Sequence, residues 1–345
     1  FTIHKASVRM PNHNCMHRTG TRFVKLKALI FVFLVLIANS NDSVGQIEST
    51  AFSVLQMDAS ARSAALGGSS SALLDPNSSV LFANPALLRA SADGRLEFSY
   101  LNHLSDINAG WLSYGRQVDS LATFAVGLRY LSFGSFDERD VLGDKVGTFG
   151  ASDVSLTFGA SRPWRSALHY GASLEVVRSS VASNAASAVA LSAGITMHDE
   201  QSGMTYSASV HHAGLVLSSI GRRKDDLPTN LRFGATKKLA HLPLLVSVTA
   251  YRLHQLDGGP EGSGSVSNVL HHLKLAGEFQ FSKTFQVRFG YDHRKHDALK
   301  VKSRLDMAGF STGFGIALSR IGFDYSFNSW SSLGALHRFT IVSSI

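Results

Sequence analysis

The feature that most constrains this chain is alternation. From about Gly94 to Ile345, apolar side chains take every second position along stretch after stretch. Val154, Leu156, Phe158 and Ala160 are interleaved with Asp153, Ser155, Thr157, Gly159 and Ser161. Phe285, Val287, Phe289 and Tyr291 are interleaved with Gln286, Arg288, Gly290 and Asp292, and the pattern returns around Leu273–Phe281 and Ile321–Asn328. Successive side chains of a strand point to opposite faces, so each stretch has one oily face and one polar or small face. About fourteen segments can be marked, each roughly 9–11 residues long, the length that crosses a bilayer at a tilt. They begin near Leu96, Ile107, Leu121, Ser152, Leu168, Ser187, Met204, Leu231, Leu244, His271, Phe285, Met307, Ile321 and His337. Soluble strands average about 5–6 residues. The pattern predicts an all-β fold, a transmembrane antiparallel β-barrel of about 14 strands, over residues 94–345.

The spacing of the breaks agrees with this. Connections are short at Arg162–Ser166, Asp199–Gly203 and Ser282–Thr284, and long at Phe133–Gly150, Leu215–Asn230, Gln255–Asn268 and His293–Arg304. Short turns at one end and long loops at the other are the habit of outer-membrane barrels. Closure of the sheet pairs every backbone group that lipid would otherwise strand. Trp111, Tyr114, Trp164, Tyr170, Tyr251, Tyr291 and Trp330 fall near expected strand ends, which suits interfacial aromatic girdles.

Residues 1–45 read as a leader. Ala28–Ala38 is an apolar run of signal-peptide length behind Arg18, Arg22, Lys25 and Lys27, and cleavage is expected before Asn41 or Gln46. Residues 1–15 read as an upstream extension of the reading frame, with Met16 the expected start. This takes the one cysteine, Cys15, out of the mature chain, so disulfide scaffolds and multi-thiolate metal sites are excluded. Six of the 33 Lys/Arg and one of the 25 Asp/Glu lie in the leader, which leaves a mature net charge of only +3. The remaining basic clusters, Arg222-Arg223-Lys224 and Arg294-Lys295, read as loop charge, so nucleic acid is not an expected partner.

Residues 46–93 lack sustained alternation and are expected to plug the barrel as a short N-terminal segment, the alternative being a periplasmic lead-in. Ala61–Leu66 suggests a helical turn ended by Gly67-Gly68, and Asn84-Pro85 starts a second one with a capping side chain and Pro at the first position. The face expected to point inward between Met307 and Leu318 is Gly309, Ser311, Gly313, Gly315 and Ala317, opposite Ala308, Phe310, Thr312, Phe314, Ile316 and Leu318. Small inward residues leave room for an occupant.

Motifs that suggest chemistry have plainer explanations. Gly309-Phe310-Ser311-Thr312-Gly313 matches G-x-S-x-G, which needs a strand-to-helix turn, yet it lies within an alternating run. An outer-membrane hydrolase using Ser311 would lose esterase activity in Ser311→Ala. The pairs His211-His212 and His271-His272 would fall on opposite strand faces. Asp292, His293, His296 and Asp297 crowd together but sit among Arg294, Lys295 and Lys300, so no metal is expected there. The acidic stretch Asp137, Glu138, Asp140, Asp144 lacks calcium-loop spacing, and Gly258–Ser265 lacks the Lys-Ser/Thr of a phosphate loop. No catalytic residue, cofactor or metal is assigned.

Several blocks resemble the PorQ proteins of the bacterial type IX secretion system, in the wider PorV/PorQ group of barrels similar to FadL-type channels. They are Ser60-Ala61-Arg62-Ser63-Ala64-Ala65-Leu66-Gly67-Gly68, Asn84-Pro85-Ala86-Leu87-Leu88, Phe133–Phe136, Gly147–Phe149, His272–Glu278, Gly290-Tyr291-Asp292-His293-Arg294 and Ala308–Gly315. They span essentially the whole mature chain in order. The first two are shared across the wider group, and the blocks at Gly290 and Ala308 favour PorQ. The resemblance implies a non-enzymatic component of the type IX secretion attachment complex in the outer membrane of a Gram-negative bacterium. Its partners would be PorU, PorV and PorZ types, membrane lipid, and cargo with C-terminal sorting domains. Two departures are the extended N-terminus and a chain that ends in Ile345, where barrel-assembly signals end in an aromatic, Phe339 being the nearest. The alternative reading is a FadL-like channel for hydrophobic small molecules. A secreted soluble β-protein, extractable by salt without detergent, is a further alternative.

Overall fold

The computed structural model describes residues 50–102, 106–119, 121–165, 167–221, 224–255, 265–301 and 306–345. The expected leader, Cys15, both cleavage positions, Arg222, Arg223 and most of the Gly258–Ser265 loop lie outside these residues.

Fourteen strands form one closed antiparallel barrel in sequence order. They are β1 (Arg95–Asn102), β2 (Asn108–Val118), β3 (Ala122–Arg139), β4 (Lys145–Arg165), β5 (Leu168–Val181), β6 (Asn184–Asp199) and β7 (Met204–Ser218). The second half comprises β8 (Asn230–Lys238), β9 (Leu244–Ala250), β10 (Leu273–Gln280), β11 (Phe285–Asp292), β12 (Phe310–Ala317), β13 (Ile321–Ser329) and β14 (Ala335–Ser344). β1 pairs with β2 on one side and with β14 on the other, which removes both sheet edges. No helix among the described residues is long and apolar enough to cross a membrane.

The oily face is the outer one. In register around the wall, Ile341 lies beside Phe98, Phe98 beside Leu112, Leu112 beside Leu128, Leu128 beside Leu156 and Leu156 beside Val176. All six are 39–50% exposed, whereas their chain neighbours Ser99, Ser113, Arg129, Ser155, Thr157 and Thr340 are buried. That is the reverse of a soluble sandwich, and it excludes the secreted soluble reading: the outer apolar belt needs hydrocarbon around it.

Three expectations need correction. β3 to β7 run 14–21 residues rather than 9–11. The stretch Phe133–Gly150 is not a long loop, because β3 and β4 continue as a hairpin past a register shift after Ser132 and turn only at 140–144. Phe136 stacks on Phe149 there, with ring centroids 5.5 Å apart. Beyond the lipid layer water tolerates either face, so the ladder continues where alternation stops. Third, Trp111 and Tyr251 are buried inside rather than placed in a girdle, and Trp330 packs against an inner apolar cluster. Trp164 and Tyr170 do face outward.

Inside the barrel lie residues 52–92, built from helices α1 (Ala61–Ala65) and α2 (Val80–Ala83), with one 3-10 turn before α1 (Ser53–Gln56) and two after α2 (Pro85–Leu87 and Ala90–Ala92). α1 packs on β11 to β14, α2 on β3, and the turn at Pro85–Leu87 on β4 to β6, so the segment touches opposite walls. Phe52, Leu66, Leu81, Leu87 and Leu88 are at most 1% exposed. Each fully buried side chain of this kind contributes about 1.5–3 kcal/mol. Two helices follow in the loops opposite the termini: α3 (Ser265–Leu270) before β10 and α4 (His293–Leu299) after β11.

The belt makes a direct prediction. Leu128→Arg should destabilise the barrel in lipid vesicles by about 2–4 kcal/mol, measured by denaturant unfolding. Leu142→Arg, at the exposed hairpin tip, should stay within about 0.5 kcal/mol.

Candidate functional site

The plug–wall interface is where the residues singled out in sequence converge. Ser60 caps α1, its hydroxyl accepting from the Ser63 amide at 3.2 Å. The orphan Ala61 amide at that helix start donates to Thr340 Oγ1 at 2.8 Å, and at the other end Asn328 Nδ2 donates to the Ala64 carbonyl at 2.7 Å. α1 is thus bonded at both ends to β14 and β13.

Arg62 leaves this helix into a buried ion network. Its Nε and Nη2 each donate to a Glu278 carboxylate oxygen at 2.8 Å, and its Nη1 lies 2.8 Å from Asp75 Oδ2. Glu278 on β10 also accepts from Arg288 Nε at 2.8 Å, and Arg288 pairs with Asp324. Acid and base alternate through Asp75, Arg62, Glu278, Arg288 and Asp324, so each charge has an opposite neighbour. Burial works against the Arg62 charge, but Glu278 and Asp75 outweigh it and hold its pKa well above the ordinary arginine value. Burial alone would raise the Asp58 carboxyl, but Lys274, Lys295 and Arg338 hold it below its usual range.

The glycines explain the small inner face. Gly67 and Gly68 turn the chain after α1 with φ of 63° and 77°, where a side chain would be strained. A Cβ on Gly290 of β11 would lie 2.3 Å from the Gly67 nitrogen, and one on Gly313 of β12 would lie 2.7 Å from the Ala65 Cβ. The sequence blocks at Gly67, Gly290 and Gly313 are therefore one contact, with backbone against backbone. Asn84, fully buried, accepts from the Ala86 amide and donates to the Ser71 carbonyl, both at 3.0 Å. Pro85 seats on Gly171, where a Cβ would come within 2.6 Å of it. Ala308 is buried just before β12 rather than on the outer face.

The remaining motif residues act at the loop end. Asp292 is buried, accepts from Tyr251 Oη at 3.0 Å and caps α4 through the Lys295 amide at 3.3 Å. Gly309, at φ 76°, lets the chain pass Asp292, whose carbonyl a Cβ would meet at 2.5 Å. Tyr291 Oη bonds His293 Nδ1 at 3.1 Å. The four residues crowded in sequence separate: Asp292 turns to Tyr251, and His296 Nδ1 lies 3.0 Å from the Ala308 carbonyl. His271, from another loop, joins His293 and Asp297 instead.

His211 and His212 also depart from expectation. Both point inward, with rings 5.9 Å apart, because His212 has φ 54° beside a register shift between β6 and β7. Ser311 is buried within β12 and faces the Gly67 turn, so the G-x-S-x-G match sits on a strand with no nucleophile elbow.

The cavity beside the plug is about 50 Å³ and is lined by Asp58, Ser60, Ser63, Asp75, Arg232 and Lys274 among others. Sites for small organic ligands are about 300–1,000 Å³ and mostly apolar. At the loop end, by contrast, Phe52, Leu55, Phe82, Leu101, Trp111 and Leu131 form an apolar cluster flanked by Phe133, Ile220, Leu227 and Trp330.

Arg62→Met should destabilise the plugged barrel by about 3–5 kcal/mol in denaturant unfolding, because it leaves carboxylates buried beside an apolar group. Arg62→Lys should recover part of this, since an ammonium cannot engage both Glu278 oxygens as a planar fork does.

Neither a protein-family model nor a curated protein matches this chain. Among solved structures, the CymD monoaromatic hydrocarbon channel aligns with TM-score 0.56 and 12% identity, covering 85% of this chain and 99% of its own. A TodX monoaromatic hydrocarbon channel mutant aligns with TM-score 0.53 and 15% identity, covering 83% and 99%. The Pseudomonas putida toluene transporter TodX gives 0.50 and 16%, covering 82% and 96%. This chain shares its barrel fold with those channels.

Proposed function

We propose that the protein is an outer-membrane channel for small hydrophobic molecules, gated by residues 52–92. The observation that carries this reading is the alignment with CymD and TodX over more than four-fifths of this chain and nearly all of theirs. Fold likeness is an analogy, so the chemistry of the site must bear weight as well. Phe133, Ile220, Leu227 and Trp330, partly exposed over the buried apolar cluster at the loop end, offer a surface on which an oily molecule can leave water. The charged cavity of about 50 Å³ beside the plug does not admit such a molecule. On this reading passage along the lumen goes with a shift of the plug.

A second reading is favoured by a specific observation. The Ser60–Gly68 and Asn84–Pro85 blocks, which resemble the PorV/PorQ group, seat the plug against the wall and add an ion network that keeps it there. A lumen held shut suits a barrel that docks other proteins through its loops. On this reading the protein is a type IX secretion component that holds PorU, PorV or PorZ types and thereby serves cargo with C-terminal sorting domains.

Locking the plug separates the two. Ser69 Oγ lies 3.2 Å from Ser247 Oγ across the plug–wall contact, and Ser78 Oγ lies 2.8 Å from Ser113 Oγ. The double variant Ser69→Cys/Ser247→Cys, oxidised, should lower protein-dependent uptake of radiolabelled toluene or a long-chain fatty acid at least tenfold, with recovery on reduction. Uptake that is equal in oxidised and reduced cells, or that does not depend on the protein, defeats the channel reading. The docking reading expects the oxidised variant to keep PorZ-like protein and anchored cargo at the surface. It fails if deletion of the gene leaves cargo anchoring unchanged.

A further inference from the structure

Three potential ligands from two loops meet at the mouth opposite the termini, and none belongs to the plug network. His293 and Asp297 lie one turn apart on the same face of α4. His271 comes from the loop between β9 and β10, directly after α3, with its backbone amide fixed on the Ser267 carbonyl at 3.0 Å. One donor atom from each residue lies within 4.8 Å of the other two. His293 Nε2 is 3.4 Å from Asp297 Oδ2, and His271 Nε2 contacts the same oxygen.

The surroundings aim these atoms inward. Tyr291 Oη occupies the far nitrogen of His293, at Nδ1, which leaves Nε2 for the cluster. Lys300 holds the other carboxylate oxygen of Asp297, Oδ1, and so leaves Oδ2 to both imidazoles. His271 is buried, while His293 and Asp297 are half-buried, so the site is open on one side. Outer partners that fix imidazole orientation and leave one nitrogen free are typical of metal-binding histidines. Two imidazoles and one carboxylate with an open position is a zinc donor set.

We propose that His271, His293 and Asp297 bind a divalent transition metal, Zn²⁺ by preference, and that the metal ties the β9–β10 loop to the β11–β12 loop. The inference is independent of what the barrel carries or docks. It places a removable clasp on the face that any ligand or partner would meet first. The neighbouring Lys300 cation works against a metal, and the competing arrangement is the direct His271–Asp297 pair alone.

The test uses the full mature chain, extracted in detergent without a polyhistidine tag and stripped with EDTA. Equilibrium dialysis against Zn²⁺ should give one metal per chain, and Co²⁺ should give the visible ligand-field absorption of a four- or five-coordinate site. His271→Gln and Asp297→Asn should each weaken Zn²⁺ binding at least about tenfold. His296→Gln, whose side chain is on the Ala308 carbonyl, should leave it unchanged. Heat-modifiable gel mobility checks that each variant is folded, and His293→Gln replaces either one that is not. Substoichiometric Zn²⁺ in the wild type, or undiminished binding in the ligand variants, overturns the site and leaves the direct pair.

Discussion

A peptide group in hydrocarbon has no water to bond, and each unpaired one costs several kcal/mol. That constraint governs the rest of this molecule. It demands a sheet with no edge, met here by the pairing of β1 with β14. It also demands an apolar outer surface, met by the belt from Ile341 to Val176. Because side chains alternate, an oily exterior forces a polar or small interior. Fourteen strands enclose more space than such side chains fill, and residues 52–92 occupy it.

Filling the lumen with chain creates a second difficulty, since a plug brings its own peptide groups and helix ends into a confined space. The solution is local and named. The first amide of α1 goes to Thr340, its last turn to Asn328, the Val54 amide to Asp153, and the Ser79 amide to Glu97. Glycine on the wall admits backbone where any side chain would collide, as at Gly171 and Gly290. Arg62 then fixes the register of plug and wall by gripping both oxygens of Glu278, a residue 216 positions away. Alternating charges let this network be buried, and they also make it costly to open one member at a time.

Much of the barrel was legible because alternation is a direct imprint of lipid on one face. Observed strand starts such as Leu168, Met204, Leu244, Phe285 and Ile321 coincide with those read from the pattern. Where lipid ends the imprint ends, so the extension of β3 and β4 through Asp137 and Glu138 resembled a loop. The inward turn of His212 depends on a positive φ and a register shift, which no side-chain pattern records. Trp111 looks like a girdle residue by position, yet it lies under the Arg338 guanidinium, 4.4 Å from its ring centre. The motif residues at Ser60–Gly68, Asn84, Gly290 and Gly313 stood out individually. Their common role did not, because it arises from contacts between segments far apart in the chain, such as Gly67 with Gly290 and Ala65 with Gly313. His271 stood out only as half of the His271-His272 pair, and its meeting with His293 and Asp297 was not legible because those partners come from a different loop.

A lumen closed by the chain's own N-terminal segment is the feature on which the rest turns. The most direct measurement is the conductance of the purified barrel in planar lipid bilayers, with and without residues 50–93. The intact protein should show no steady open-pore current, and the deletion variant should show a large one. A sustained open-pore current from the intact protein, equal to that of the deletion variant, would contradict it.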